Sequence, residues 1–232
     1  MQRLSEPPKA RIDVLILAAH APDLAGMRAA LGENLDGHIR GLYVSAKAVG
    51  LGLAMAGAGT ASRIKQLEPR CIIFSGTCGV YPGQAHYRPN DVIVANRFAL
   101  ADPTALSGHA AFPEPMQTSV EAPALICQGL GASGPRVRMA PVASTLSTTI
   151  DDALAAQLLI ASGCEAENLE AFSVAIAAAA AHVPFAVVLG VANAVGSKGR
   201  EDWLQFQRSA VIAAADVITT WVHNGAPGLP HS

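Results

Sequence analysis

Apolar positions fall in blocks along this chain and not in strict alternation. Residues 12–18 (IDVLILA) form a strand-length run broken only by Asp13, the pattern of a strand covered on both faces, as in a parallel sheet. Pro22-Asp23 follows, and Leu24, Met27 and Leu31 then fall at helical spacing. A helix is predicted over 24–31, with the proline and the acid marking its start. The same strand, turn and helix pattern is read at 49–56, an apolar run punctuated by Gly50 and Gly52, with Gly57-Ala58-Gly59 turning it into a short helix over 60–67. Further strands are predicted at 71–74 (CIIF), 91–95 (DVIVA), 136–143 and 185–192 (FAVVLGVA), and helices at 151–161, 169–181 and 209–223. Residues 102–136 are rich in Pro, Gly and Ser and read as a long irregular excursion, a kind of segment that often carries function. Strands alternating with helices imply an α/β fold with a mostly parallel sheet and helices on both faces.

Composition narrows this picture. At 232 residues the chain suits one α/β domain, expected over 1–232 with loose tails at 1–11 and 224–232. Hydrophobic residues are 51% and charged residues 15%, the reverse of the balance that disorder requires. The net charge of −2 lacks the basic excess of a phosphate-backbone binder, so no nucleic-acid partner is expected. The most apolar stretch, 171–195, is broken by Ser173, His182, Pro184 and Gly190, so no membrane span is expected. Glu6, Pro7 and Pro8 precede any apolar run, which does not read as a signal peptide. Cys71, Cys78, Cys127 and Cys164 show no CxxC spacing and read as reduced thiols of a cytoplasmic protein. Aromatics are only 5%, so the core must be aliphatic.

In such sheets ligands sit beyond the carboxyl ends of the strands. The informative positions are therefore 20–23, 57–60, 75–79, 144–149, 167–170 and 193–200. Ser75-Gly76-Thr77-Cys78-Gly79 reads as a small-residue loop where a ligand could approach the backbone, or as a plain tight turn. No GxxxxGK[ST] is present, and Gly57-Ala58-Gly59 lacks the rest of a dinucleotide fingerprint. Glu167 and Glu170 lie just before a predicted helix; either they favour its N-terminal dipole or one of them faces a pocket and accepts from a vicinal diol. Asn193 ends a buried strand and offers both a carbonyl and an NH₂ group, suited to a heterocycle edge or simply to a turn. Asp23 reads as a helix-start acid or a catalytic group. Of the seven histidines only His20 stands at a strand end, and none has HExxH or other paired-ligand spacing, so no metal is expected. GxSxG is absent and Cys78 has no nearby His partner in sequence.

Taken in order, these segments resemble the nucleoside phosphorylase/nucleosidase superfamily over residues 12–222. Ile72–Gly79 (IIFSGTCG) is similar to its strand and glycine segment, Asn90–Val94 (NDVIV) to its "GDVVV" strand, Glu167–Ala171 (ENLEA) to its "VEMEA" segment and Val188–Asn193 (VLGVAN) to its "VRAISD" strand. Gly79–Gly83 (GVYPG), ENLE and Ala192–Gly196 (ANAVG), with Arg200 and Trp203 beyond, most resemble the futalosine hydrolase branch; the methylthioadenosine/S-adenosylhomocysteine nucleosidases resemble the chain more distantly. The resemblance implies a phosphorylase-like three-layer α/β/α fold with a mixed, mostly parallel sheet, a homo-oligomer, and no metal or organic cofactor. It implies catalytic roles for Asp23, on the hydrolytic water, and for Asn193, facing purine N7 and the 6-substituent. Thr77, Cys78, Gly79, Asn168, Leu169 and Glu170 are implied to bind substrate, with Glu170 on the ribose diol. An amide at 193 can donate to a 6-oxo group that a carboxylate would repel, so the resemblance implies a 6-oxopurine nucleoside of the futalosine type, hydrolysed to release hypoxanthine. The chain departs from the pattern in carrying Asp23 for Glu, Ala171 for Gly, Leu169 for Met and Leu189 for Arg. A purine nucleoside phosphorylase, a methylthioadenosine/S-adenosylhomocysteine nucleosidase-like enzyme and a non-catalytic nucleoside-binding protein remain open as alternatives. The first strand end lacks a glycine-rich turn and an arginine, which favours water over phosphate, although Arg28, Arg63 or Arg97 could fold in.

Overall fold

The computed structural model describes residues 11–230. The tail expected at 1–11 lies, Arg11 apart, outside the described residues.

Among the described residues nine strands form one mixed sheet: β1 (Val14–Ala18), β2 (Asp36–Ile39), β3 (Leu42–Ala48), β4 (Ile72–Val80), β5 (Val92–Leu100), β6 (Ser119–Glu121), β7 (Val137–Ser144), β8 (Ala166–Glu167) and β9 (Phe185–Ala194). The helices are α1 (Ala25–Leu31), α2 (Gly52–Leu67), α3 (Pro103–Leu106), α4 (Ala124–Gly131), α5 (Asp152–Ser162), α6 (Ala171–Ala180) and α7 (Gly199–His223). β1 runs parallel between β3 and β4. Beyond it the sheet closes on itself: β4 pairs with β9 and β8, β9 with β5, β5 with β7, and β7 with β8.

The alternation of side chains along a strand sends successive residues to opposite faces, and β1 shows this directly. Leu15 and Leu17 join a core cluster with Ala56 of α2 and with Ala171, Val174 and Ala178 of α6. Val14, Ile16 and Ala18 join another, with Met27 of α1, Ile126 of α4 and Trp221 of α7. Burial on both faces explains why β1 reads as a continuous apolar run, and the two helical layers with the sheet between them are the expected three-layer α/β/α fold. Small residues let these layers touch through the main chain. A Cβ at Gly190 would collide with the carbonyl of Ala210 in α7.

Several local expectations are corrected. Residues 49–56 are not a strand. The strand is β3, and from Gly52 onward the chain is helix α2. Gly50 and Gly52 take positive φ (113° and 75°), so these glycines start a helix and do not interrupt a strand. β2 and β3 have no counterpart among the predicted strands: Asp36-Gly37-His38 forms a polar edge strand, and Ser45 and Lys47 interrupt the apolar positions of β3. The segment 75–79 is not a loop but the second half of β4. The 102–136 excursion holds α3, β6 and α4, and Ile126, Cys127 and Leu130 enter the core. Helix α7 begins at Gly199, ten residues before the expected start at 209. The expected loose tail at 224–232 is packed through Pro230: Ala226 is buried, Trp221 Nε1 donates to the Pro227 carbonyl at 3.0 Å, and Arg70 donates to that of Pro230.

Candidate active site

The ends of β4, β8 and β9 converge on Gly79, which pairs with Glu167 on one side and Asn193 on the other. A register shift between Cys78 and Gly79 leaves Ala192 of β9 unpaired and brings Asn193 opposite Gly79, as a β-bulge does. A Cβ at position 79 would lie 2.6 Å from Asn193 Nδ2 and 2.8 Å from Val195 Cγ2, so only glycine fits beside the amide. The same strand ends open onto a cavity of about 370 Å³, within the usual range of about 300–1,000 Å³ for small-molecule sites. Asp23, Thr77, Cys78, Gly79, Asn168, Leu169, Glu170 and Asn193 all line it, as do His20, Leu51, Ile150, Arg200 and Trp203. No residue of 102–136 is among the lining residues, so the excursion does not contribute to the cavity of this chain.

The two glutamates separate. Glu167 is buried and engaged at both oxygens: the Thr149 N–H donates to Oε1 at 3.0 Å, and the Thr149 and Tyr81 hydroxyls donate to Oε2 at 2.6 and 3.1 Å. Its partners make it an anchor for the 148–150 segment. Glu170 stands at the N-terminus of α6 without capping it. Oε1 accepts from the Gly52 N–H at 2.9 Å, at the start of α2, and Oε2 from Asn168 Nδ2 at 3.1 Å. Burial pushes its carboxyl above the usual carboxylate range, and the nearby charge of Asp23 adds to the rise; the Gly52 and Asn168 hydrogen bonds oppose it. A carboxylate has about four lone-pair sites, so two bonds leave capacity for a ligand diol.

Asn168 changes role. Its Oδ1 accepts from the N–H groups of Glu170 and Ala171, and its Nδ2 donates to the Thr77 carbonyl and to Glu170. That exhausts the side chain. It caps α6 and orients the cavity wall, with nothing left over for a substrate. Cys78 likewise contributes chain, not chemistry: its thiol is buried in the core and held neutral by desolvation. Thr77 keeps a usable hydroxyl, since Oγ1 accepts from Trp203 Nε1 at 3.2 Å. Leu169 is half-buried on the wall. Asn193 Nδ2 donates to the Ala194 carbonyl at 2.8 Å, leaving one N–H and Oδ1 for the cavity. The early start of α7 puts Arg200 and Trp203 on the cavity, the guanidinium 5.4 Å from the indole centroid.

His20 has more to do than its sequence position implied. The chain leaves β1 through a short helical turn, Ala21–Leu24, with Pro22 inside it. Three-residue periodicity superposes positions three apart, and His20 Nδ1 lies 2.7 Å from Asp23 Oδ2. Burial raises the Asp23 carboxyl above its ordinary range, and His20 opposes the rise. Arg28, Arg63 and Arg97 stay away from the cavity: Arg28 pairs with Glu33, Arg63 with Gln66, and Arg97 with the carbonyls of Ser162 and Gly163.

A search of the curated proteins finds no match. Solved structures are similar over nearly the whole chain at low identity. The 5′-methylthioadenosine/S-adenosylhomocysteine nucleosidase of Neisseria meningitidis, in complex with methylthio-immucillin-A, is 18% identical with a TM-score of 0.80, covering 91% of this chain and 99% of its own. The Helicobacter pylori enzyme of that type gives 15% and 0.81, over 93% and 100%. Futalosine hydrolase of Helicobacter pylori gives 16% and 0.79, over 92% and 98%. At such identities the likeness speaks for the fold. The family profile described as the phosphorylase superfamily matches residues 23–223, and the chain belongs to that superfamily.

Proposed function

We propose that the chain is a nucleosidase that hydrolyses the N-glycosidic bond of a 6-oxopurine nucleoside of the futalosine type and releases hypoxanthine. The observation that carries the reading is the presence of Glu170 and Asn193, from the successive elements α6 and β9, on one cavity together with the His20–Asp23 pair from far back in the chain. Cleaving the bond builds positive charge on the ribosyl ring and negative charge on the leaving purine. Glu170 accepts from the ribose hydroxyls and stabilises the first; Asn193 meets N7 and the 6-oxo group and stabilises the second. The free N–H of Asn193 suits a 6-oxo acceptor. Water attacks from the opposite ring face and gives its proton to a base at the His20–Asp23 corner. Arg28, Arg63 and Arg97 do not line the cavity but Arg200 does, so the choice of water over phosphate rests on the phosphate arm of the assay below. The solved structures of nucleosidases and of a futalosine hydrolase that share the fold agree with this reading.

The reading includes a homo-oligomer, since Leu51 and Ile150 at the cavity and Met55 and Leu146 beside them in sequence are exposed; light scattering of the purified protein tests it. It also includes a cytoplasmic location, in keeping with four free, buried cysteines. The deciding experiment presents inosine, adenosine, methylthioadenosine and futalosine, with and without phosphate, and scores free base by chromatography. Phosphate-independent release from the 6-oxopurine nucleosides is the expected result. Release that requires phosphate selects a phosphorylase, preference for the adenine nucleosides selects the methylthioadenosine type, and purine binding without turnover selects a non-catalytic protein.

A further inference from the structure

The corner that handles the water holds two titratable groups, and they differ in how they face the cavity. Asp23 is the more sheltered, its side chain 14% exposed, while that of His20 is 36% exposed. The ring of His20 turns Nδ1 toward Asp23 Oδ2 at 2.7 Å. A carboxylate only accepts, so the proton of a neutral imidazole resides on Nδ1 and the lone pair on Nε2. Nε2 sits on the opposite ring edge and makes no hydrogen bond among the described residues. Asp23 is also a short acid on a short turn, so reach lies with the longer side chain. We infer that His20, oriented by Asp23, is the base that takes the proton of the attacking water, and that Asp23 is a positioning residue. The inference rests on the nucleosidase reading of this cavity and deepens it.

The step balances. The water oxygen forms a bond to C1′ as C1′–N9 breaks, and the bonding pair leaves with the purine. One water proton passes to His20 Nε2. The purine anion takes a proton from solvent, and the imidazolium returns one to it. An imidazolium beside a cationic ribosyl ring would oppose the reaction if it stood alone. Asp23 offsets that charge, as a carboxylate does for any histidine base that it orients. Glu170 adds a second negative group within electrostatic reach of both His20 and Asp23.

The test compares wild type with His20→Gln, His20→Ala and Asp23→Asn on whichever nucleoside the wild type cleaves, with thermal midpoints checking the fold. Loss of a general base costs roughly 10²- to 10⁴-fold in kcat. That loss is expected in both histidine variants, with KM changed only a few-fold and with part of the rate restored to His20→Ala by added imidazole. Asp23→Asn should lose a comparable factor while purine binding persists. In ¹⁵N-edited spectra of the wild type, the His20 proton is expected on Nδ1. A His20→Gln enzyme with wild-type kcat, or a wild-type ring protonated on Nε2 alone, overturns the assignment and leaves the nucleosidase reading standing. If the variants do not fold, the tautomer still decides. A wild type inert toward every nucleoside removes the nucleosidase reading, and the base assignment with it.

Discussion

The cavity has two acidic corners, built on opposite plans. Glu170 is held by long-range contacts: the start of α2 grips one oxygen, and Asn168, itself tied to Thr77 of β4, grips the other. Among the described residues Asp23 has one side-chain partner, three residues away on the same turn. The first corner is a preorganised acceptor whose geometry the whole sheet enforces, which suits a group that must meet a diol without rearranging. The second is local, a single contact within one turn, which suits a group whose task is to orient its neighbour. The contrast teaches that a carboxylate serves different chemistry according to how many elements hold it.

Beyond the losses expected at His20 and Asp23, breaking the rigid corner should have the largest effect. Glu170→Ala is expected to lower kcat/KM by about 10²- to 10³-fold, the scale of removing one preorganised electrostatic contact; steady-state assays of base release check this. Gly79→Ala comes next. Its Cβ must push on Asn193 and Val195, and a loss of roughly tenfold is expected, seen chiefly in kcat, on the scale of about 1.4 kcal/mol of barrier. Asn168→Ala removes a helix cap as well as the tie to Thr77. A loss of about 1–2 kcal/mol should appear as a midpoint lowered by roughly 2–8 °C in a chain of this size, read by calorimetry.

A subtler test uses pH. Burial raises the Glu170 carboxyl in the folded chain, so folding favours its protonated form. That contribution to stability is fully present below the unfolded value, near about 4, and is lost as pH rises through the raised folded value. Relative to wild type, Glu170→Gln should therefore gain thermal midpoint as pH is brought from about 4 to 7, even as activity disappears; a midpoint difference flat with pH counts against the burial argument. The smallest effect belongs to Leu169→Met, a volume-conserving change on a half-buried wall, expected to cost under about 1.5 kcal/mol and to leave turnover nearly unchanged.

Much of this arrangement can be read from residue order alone. β1, β4, β9 and the first half of β5 are covered on both faces, and their apolar runs announce them. Asn193 and Asp23 stand just past such runs, and Glu170 stands at the start of the apolar helix α6. The failures have physical causes. Leu51, just before α2, and Leu53, Ala54 and Met55 on it are exposed or half-exposed, so apolarity there does not signal a buried strand. The first turns of α7, Gly199-Arg200-Glu201-Asp202, are polar and exposed or half-exposed, which hid both its early start and the placement of Trp203. The His20–Asp23 pairing depends on a single tight turn, and Asn168's fourfold engagement depends on β4 lying alongside. Neither leaves a periodic trace in the sequence.

One packing detail governs how the cavity can evolve. At Gly190 the backbone of α7 rests directly on β9, so the helix bearing Trp203 and the strand bearing Asn193 have no side-chain cushion between them to trim or enlarge. The gauge between those two residues is therefore struck by the main chain. A descendant that accepts a bulkier or slimmer ligand would have to find its room at the rim, around Leu51 and 148–150, while the α7–β9 seam stays as it is.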